Sequence, residues 1–523
     1  MKVKSTSTSR CPHDPPENIG RIINDICNTL WWRMNYAARR CTLRPPIIVR
    51  WAYQQLRQLK LTPIMTDKDG GFCLVRTQDV ESIKLKAILA DKSYKEEQVN
   101  FNFLDEWLVA YRSVAWKISC RIGSDNTDTI KSLMNAFTSG IQRFPKEGLI
   151  TPISMKIKTH KDQGAIVPRL LHNSREHPFR PAMFWIAAEL KPFLKSKPHL
   201  LVDSADLARQ IKGITIPADG VMIKIDIKNY FMSGDHQTLI DQSSRCIRRK
   251  VRDLYKSMLD TILQAQWIAP HRGSNKTFRV TIGSGMGMPC SGEVSDAAFY
   301  FLAEDDFVLN ERIRSHYRVY SYYRFKDDIL LIIGGNKETR RLFMNEFKKH
   351  SRCFKLDIET VSDTGVNMLD VWVEKESPRC RSKLVIDMYE KPTSIKRYLA
   401  ATSMHAPSVH RSWPRAQVAR IRRLCGRAAD ANVRISAFSR DLAFNDAWPP
   451  STDPRPPSDS TSARSQEIIV SWLTLPFHAA WSSSDLPNLV YRACREAKNS
   501  LLVRIAWCLG GNHMCQSFSV PRL

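Results

Sequence analysis

Hydrophobic residues recur along this chain with two different periods, and the changes of period divide it into candidate elements. From Ile19 to about Leu61 the spacing is helical, with Ile22, Ile23, Ile26 and Leu30 on one face and Trp31, Trp32 and Trp51 adding bulk. Residues 1–17 ahead of it are polar and basic and read as a disordered leader. A glycine turn, Thr66-Asp67-Lys68-Asp69-Gly70-Gly71, leads into a strand at Phe72–Val75, and residues 78–145 return to helical spacing. At 150–172 the period becomes two: Ile153, Met155 and Ile157 alternate with polar residues, an Asp-Gln-Gly turn follows, and Arg169 lies on the return arm. Gly220–Ile227 reads as a strand, and a helix is expected to begin near His236. The glycine-rich run Ile282–Gly292 opens a helix with Val294, Ala298, Phe301 and Leu302 on one face. Further on, an aromatic strand ending at Phe325 turns into the apolar run Ile329–Ile333, which Gly334-Gly335-Asn336 terminates. A helix marked by Leu342, Phe343 and Phe347 follows, then strands at 354–360, 366–373 and 384–390. Residues 396–446 are helical and rich in arginine; 449–463, with Pro449, Pro450, Pro454, Pro456 and Pro457, read as a flexible linker before a small segment at 466–523. Strands interleaved with helices in this order describe an α+β protein with a sheet backed by helices.

Composition narrows the class. With 523 residues and 43% hydrophobic content the chain has material for two to four subdomains. Its 79 Lys and Arg against 52 Asp and Glu leave a net charge of +27, which points to a polyanionic partner, nucleic acid first. No stretch approaches the ~18 apolar residues of a membrane span, and the polar N-terminus lacks the apolar core of a secretory signal. Thirteen cysteines without a Cys-x-x-Cys pair fit reduced thiols inside a cell.

Four places carry candidate chemistry. The Phe325-Lys326-Asp327-Asp328 turn sets two adjacent carboxylates between buried flanks, an arrangement that calls for a cation or else is an ordinary acidic turn. Asp226 ends an apolar strand, where it serves either as a ligand or as the cap of the following helix. Lys156, Lys158, His160, Lys161 and Arg169 crowd one hairpin, as a phosphate clamp or as a solvated basic face. The loop at 283–292 matches neither a Walker A nor a dinucleotide fingerprint; its glycines allow close approach to a base pair or sugar. Nucleotidyl transfer needs two divalent cations ~4 Å apart on carboxylates from adjacent strands, and Asp226 with Asp327 and Asp328 supplies such a set.

In this order the motifs resemble reverse transcriptases, and specifically those of Penelope-like retroelements, which are related to telomerase; the resemblance covers most of residues 60–445. It is carried by Thr66–Gly71, by Lys158-Thr159-His160-Lys161 with Arg169, and by Asp226–Phe231. Met286-Gly287-Met288-Pro289-Cys290-Ser291, Asn367–Asp370 and Tyr389-Glu390-Lys391-Pro392-Thr393 complete it, the last followed by Tyr398, Ser403 and Pro407. The resemblance implies a right-hand polymerase: a helical extension at 18–149, fingers at 150–215, a palm with an antiparallel sheet at 216–395, and a helical thumb at 396–447. It adds a linker at 448–465 and a small C-terminal segment at 466–523, with the N- and C-terminal parts helical. It implies that Asp226, Asp327 and Asp328 are catalytic and bind two Mg²⁺, or Mn²⁺. Phe231 would be the gate that rejects a 2′-hydroxyl, Lys158, Lys161 and Arg169 would meet the triphosphate, and Met286 and Gly287 the nascent base pair. Lys391, Arg420, Arg422 and Arg423 would bind nucleic acid, and Asp370 would sit near the primer-gripping strands.

The expected partners are an RNA template, a DNA primer and deoxynucleoside triphosphates, with no membrane, and the expected location is the nucleus. Two residues depart from the family pattern: Lys326 stands where a small or apolar residue is usual, and Gly292 where proline is usual. A cation at 326 either weakens metal binding or turns away toward primer phosphate. The Gly-Ile-Tyr/Tyr-Ile-Gly nuclease module that many members carry after the thumb is not found, residues 466–523 being too few for it. The leading reading is an RNA-directed DNA polymerase. An RNA-directed RNA polymerase, against which Phe231 argues, and a catalytically inactive nucleic-acid-binding protein are the alternatives.

Overall fold

The computed structural model describes residues 3–5, 47–67, 71–102, 105, 106, 109, 146–158, 166–376, 381–390, 398–399, 407–444, 470–476, 502–509 and 512–517. The chain divides into two units: Met1–Ala52, Arg397–Arg420 and Val433–Leu523 form one, and Tyr53–Lys396 with Ile421–Asn432 the other. The first unit begins with a short strand, β1 (Val3–Ser5).

The second unit holds the candidate chemistry. A two-stranded ribbon pairs β2 (Leu61–Met65) with β3 (Phe72–Arg76). The helical spacing read up to Leu61 in fact ends at Gln58; Lys60 then takes φ +53 and the chain turns into a strand. Helix Thr77–Ala90 follows, then β4 (Tyr94–Glu96). β5 (Ile150–Lys158) and β6 (Val167–His172) form the expected hairpin, with Lys156 opposite Arg169. β7 (Thr215–Pro217) and β8 (Val221–Lys228) come next, then β9 (Trp267–Ala269) and β10 (Phe278–Val280). β11 (Val319–Phe325), β12 (Asp328–Ile333), β13 (Lys355–Ser362), β14 (Gly365–Met368), β15 (Val371–Lys375) and β16 (Arg381–Met388) complete this unit. The expected single strand at 366–373 is therefore two, β14 and β15, folded back at Leu369-Asp370 with Leu369 at φ +54.

Three larger sheets result, with strand orders β4-β10-β9-β5-β6, β11-β12-β8-β13 and β14-β15-β16-β7. The second, antiparallel throughout, is the centre of the unit. Alternation along β8 explains how it is seated. Ile223, Ile225 and Ile227 are buried on one face, while Lys224, Asp226 and Lys228 share the other. Ile329, Leu331 and Ile333 of β12 join the same core, against Val294 and Ala298 of helix Ser291–Phe299 and against Phe343 and Phe347 of helix Lys337–Ser351. Sheet and helices thus stand in the expected layers, with two local differences. Helix Ser291–Phe299 continues as a π-helical segment, Tyr300–Val308, whose wider turn leaves Phe301 half-buried while Leu302 stays in the core. In helix Lys337–Ser351 it is Phe343 and Phe347 that point inward, and Leu342 is exposed.

In the first unit β1 pairs with β17 (Val470–Pro476), which runs parallel to β18 (Leu502–Leu509), itself antiparallel to β19 (Asn512–Ser517). The described C-terminal segments are strands where helix was expected, and Val3–Ser5 is a paired strand inside the expected disordered leader. Val470-Ser-Trp-Leu-Thr-Leu and Leu502-Val-Arg-Ile-Ala-Trp are rich in β-branched and aromatic residues, which favours this outcome. Helices Pro407–Leu424 and Ala428–Phe444 occupy the arginine-rich region as expected. The expected linker at 448–465 lies outside the described residues.

Candidate active site

The three sequence-predicted acids lie on neighbouring backbone of the central sheet. The register places Asp226 directly opposite Asp328, and the amide of Ile227 donates to the Asp327 carbonyl at 2.9 Å. Lys326 and Asp327 form the turn between Phe325 and Asp328, so two strands and one turn deliver three acids to one spot. Asp226 is not a helix cap; the helix at His236–Ser244 is capped by Asp235, whose carboxylate accepts from the Thr238 amide. All three acids are half-buried. Burial, then the neighbouring carboxylates of Asp327, Glu359 and Asp328, push the Asp226 carboxyl up to about 6, against the opposing effect of Lys224. Lys224 itself is held by Glu359 at 2.7 Å and stands 3.9 Å from Asp328 Oδ1.

The donor chemistry fits a hard divalent cation: three carboxylate side chains carried on adjacent backbone. Among the described residues, however, no three His, Cys, Asp or Glu side chains stand as a ready ligand group.

Beneath the turn lies a buried ion network that sequence reading assigned no role. Arg324 is 1% exposed. Its Nε and Nη2 donate to the two oxygens of Glu304 at 2.6 and 3.0 Å, and its Nη1 donates to Asp296 Oδ1 at 2.7 Å, to the Tyr230 hydroxyl at 2.8 Å and to the Lys326 carbonyl at 3.2 Å. The guanidinium also lies 5.0 Å from the Phe299 ring centroid. Tyr230 donates in turn to Asp296 at 2.7 Å, and Tyr322 to Glu304 at 2.7 Å. Burial alone would raise the Glu304 carboxyl, but Arg324 and His199 hold it well below the usual carboxylate range. For Arg324, burial disfavours the charge, and Glu304, Tyr230 and Asp296 more than restore it. Lys326 turns away from the acids and pairs its ammonium with Asp296. The available signal was an arginine inside an otherwise aromatic and apolar strand.

The glycine loop is clamped between two strands' ends. The Phe231 carbonyl accepts from the amides of Ser284 (2.8 Å) and Gly285 (3.2 Å). Gly283, at φ +81, has no room for a side chain, since a Cβ would lie 2.3 Å from Met232 Cα. On the other side the amide of His172, the last residue of β6, donates to the Met286 carbonyl at 2.7 Å, and Ser174 donates to the Gly287 carbonyl at 3.2 Å. Met286 and Gly287 are thus tied through their backbone to the end of the β5–β6 hairpin and the residues after it, and Phe231, half-buried, stacks edge-on against Tyr230.

Of the predicted cations, Arg169 is committed to Asp67 at 3.2 Å, and the Asp67 amide donates to the Ile157 carbonyl at 2.8 Å, which docks the Thr66–Gly71 turn on β5. Lys158 ends β5 opposite Val167. Lys161 and Lys391 lie outside the described residues. Arg422 and Arg423 are exposed near the end of helix Pro407–Leu424, and Arg420 belongs to the other unit. Asp370 sits in the β14–β15 turn and accepts from Ser204 at 3.1 Å.

No protein-family model and no curated protein matches the sequence. Among solved structures the chain is similar to telomerase from Candida albicans in complex with a TWJ fragment of telomeric RNA, at 10% identity and TM-score 0.42, over 59% of this chain and 58% of that one. It is also similar to apo telomerase from Candida tropicalis, at 11% identity and TM-score 0.40, over 61% and 55%. A third is the RNA-dependent RNA polymerase of a human picorbirnavirus, at 11% identity and TM-score 0.38, over 85% and 88%. The chain spans somewhat more than half the length of the two telomerases it matches.

Proposed function

We propose that this chain is a nucleic-acid polymerase, and more specifically an RNA-directed DNA polymerase of Penelope-like type. The observation that supports it most is the register that sets Asp226 opposite Asp328, with Asp327 on the adjoining turn. Asp226, Asp327 and Asp328 would hold the divalent cations, Mg²⁺ or Mn²⁺. When bound, such ions activate a primer 3′-hydroxyl and neutralise the charge of an incoming triphosphate. The remaining work falls to the chain itself. Arg324 and Asp296 fix the turn that carries Asp327, and the Ser284 and Gly285 amides fix Phe231 beside the strand that carries Asp226. An aromatic wall there favours a deoxyribose over a ribose by excluding the 2′-hydroxyl, which is the ground for preferring DNA synthesis. Lys158, Lys161 and Arg169 would meet the triphosphate, Met286 and Gly287 the base pair, and Lys391, Arg420, Arg422 and Arg423 the template–primer duplex; Arg169 would exchange Asp67 for phosphate. Residence in the nucleus and a retroelement origin belong to this same reading.

The test is extension of a DNA primer on an RNA template with deoxynucleotides and Mg²⁺, run beside ribonucleotides. Extension with deoxynucleotides only is expected; extension with ribonucleotides alone would establish RNA synthesis. A second reading, a nucleic-acid-binding protein without catalysis, draws on the net charge of +27. It predicts RNA binding with no extension under any divalent cation.

A further inference from the structure

The turn that presents Asp327 carries its own cation. Lys326 adjoins Asp327 in the chain, and an ammonium free to fold onto Asp226, Asp327 and Asp328 would compete with any divalent ion there. Several contacts hold it elsewhere. Lys326 takes φ +54, a left-handed conformation unfavourable for a side-chain-bearing residue, and its carbonyl is fixed by Arg324 Nη1 at 3.2 Å. Its ammonium meets Asp296 Oδ2. Asp296 cannot follow the lysine outward, because its other oxygen accepts from Arg324 and from Tyr230, each at 2.7 Å, and the residue is 8% exposed. Residue 292 supplies the clearance. A Cβ on Gly292 would stand 3.0 Å from the Lys326 Nζ and 3.6 Å from its Cε. The two residues that depart from the family pattern, Lys326 and Gly292, are therefore neighbours in space, and a side chain at 292 would meet the lysine. On the strand that carries Asp226, Lys224 is engaged by Glu359 and Lys228 by Asp357.

We propose that Asp296, with the room left by Gly292, holds the Lys326 ammonium off the Asp226–Asp327–Asp328 carboxylates and so keeps that site open to divalent cations. Asp296 is then a positioning residue acting through Lys326. The inference rests on the metal-dependent polymerase reading above.

The test uses the full chain and Mn²⁺ itself as probe, with bound ion measured by electron paramagnetic resonance and the Mg²⁺ requirement of primer extension measured in parallel. In Asp296→Asn the amide oxygen can still accept from Tyr230 and Arg324, so the pocket keeps its shape and loses the anion that retains the lysine. Mn²⁺ binding is expected to weaken by about tenfold or more, as one positive charge brought within a few ångströms of the ion requires. The double variant Asp296→Asn/Lys326→Met should return to within about twofold of wild type, because the two changes act on one contact. Asp296→Glu should rescue as well. Gly292→Ala, which crowds the ammonium and leaves the buried network intact, should give a smaller loss that Lys326→Met also removes; it serves if Asp296→Asn does not fold. Unchanged Mn²⁺ affinity in Asp296→Asn and Gly292→Ala would overturn the inference, and so would a loss that Lys326→Met fails to restore. Those results, with wild type binding Mn²⁺ and extending primers, leave the polymerase reading standing. Wild type that neither binds Mn²⁺ in a manner sensitive to Asp327→Asn nor extends primers overturns both.

Discussion

Replacing Arg324 with methionine is the sharpest probe of how the acidic turn is held. The substitution keeps apolar length and removes the guanidinium, leaving Glu304, wholly buried, and Asp296, nearly so, without their common partner. A buried carboxylate that loses its cation costs about 3–5 kcal/mol, against a total stability of roughly 5–15 kcal/mol for a folded domain. Tyr322 and His199 remain on Glu304, at 2.7 and 3.3 Å, and Tyr230 and Lys326 on Asp296, so about 3–4 kcal/mol is the expected loss. Urea unfolding at pH 7.5 measures it.

The pH dependence gives a second reading of the same variant. In wild type the depressed Glu304 carboxyl contributes stability above its unfolded pKa of ~4.5, lost as pH falls toward its lower folded value. In the variant burial is opposed by His199 but no longer by Arg324, the folded carboxyl rises, and ionised Glu304 destabilises at neutral pH. The difference between variant and wild type should therefore narrow between pH 7.5 and 5. Adding Glu304→Gln to Arg324→Met should recover part of the loss, since no unpaired charge then remains on that side. A single-variant loss under about 1 kcal/mol, the worth of an exposed pair, would refute the placement of this arginine.

Three further outcomes follow from the same geometry. Phe231→Ala should raise ribonucleotide incorporation relative to deoxynucleotide in single-turnover extension; unchanged sugar selectivity would remove Phe231 from the gate. Gly283→Ala should cost about 2 kcal/mol or more in thermal or urea unfolding, since it combines φ +81 with a Cβ 2.3 Å from Met232 Cα; a neutral result would mean the loop is not clamped there. Because the Asp226 carboxyl is raised to about 6, its ionised form destabilises the folded chain as pH rises through that value, and a bound cation relieves this. Mg²⁺ should therefore raise the melting temperature more at pH 7.5 than at pH 5, and an equal or reversed effect would contradict the carboxylate assignment.

Elements written in local pattern were legible in the sequence. The acidic hairpin, β8, the β5–β6 hairpin and the helix after the glycine loop all announce themselves by alternation, turn residues or helical spacing. Where the turn had no such mark, the reading went astray. Met368-Leu369-Asp370-Val371 offers a single Asp and no Gly, Pro or Asn, too weak a signal against the apolar run, so a reversal with Leu369 at φ +54 was read as continuous strand. The strand Leu61–Met65 begins where the helical run was expected to end and carries no mark of its own, because its partner strand lies beyond a turn and pairing of that kind is not encoded in local spacing. The π-helical segment moved Phe301 off a face that ideal helical spacing assigned to the core. The ion network was invisible for a different reason. Arg324 meets Glu304, Asp296 and Tyr230 across 20, 28 and 94 residues, and nothing local selects those partners. Within that network the Lys326 ammonium pairs with Asp296, a partner the sequence did not indicate.

The central claim is that Asp226, Asp327 and Asp328 form one catalytic site, and single-turnover primer extension on an RNA template tests it most directly. With deoxynucleotides and saturating Mg²⁺ or Mn²⁺, wild type should extend the primer. Asp226→Asn and Asp327→Asn should each lower the rate by a factor of about 10³ or more, several kcal/mol of transition-state stabilisation, while RNA binding is retained. Extension that survives either substitution, or wild type that binds RNA and never extends, would contradict the account.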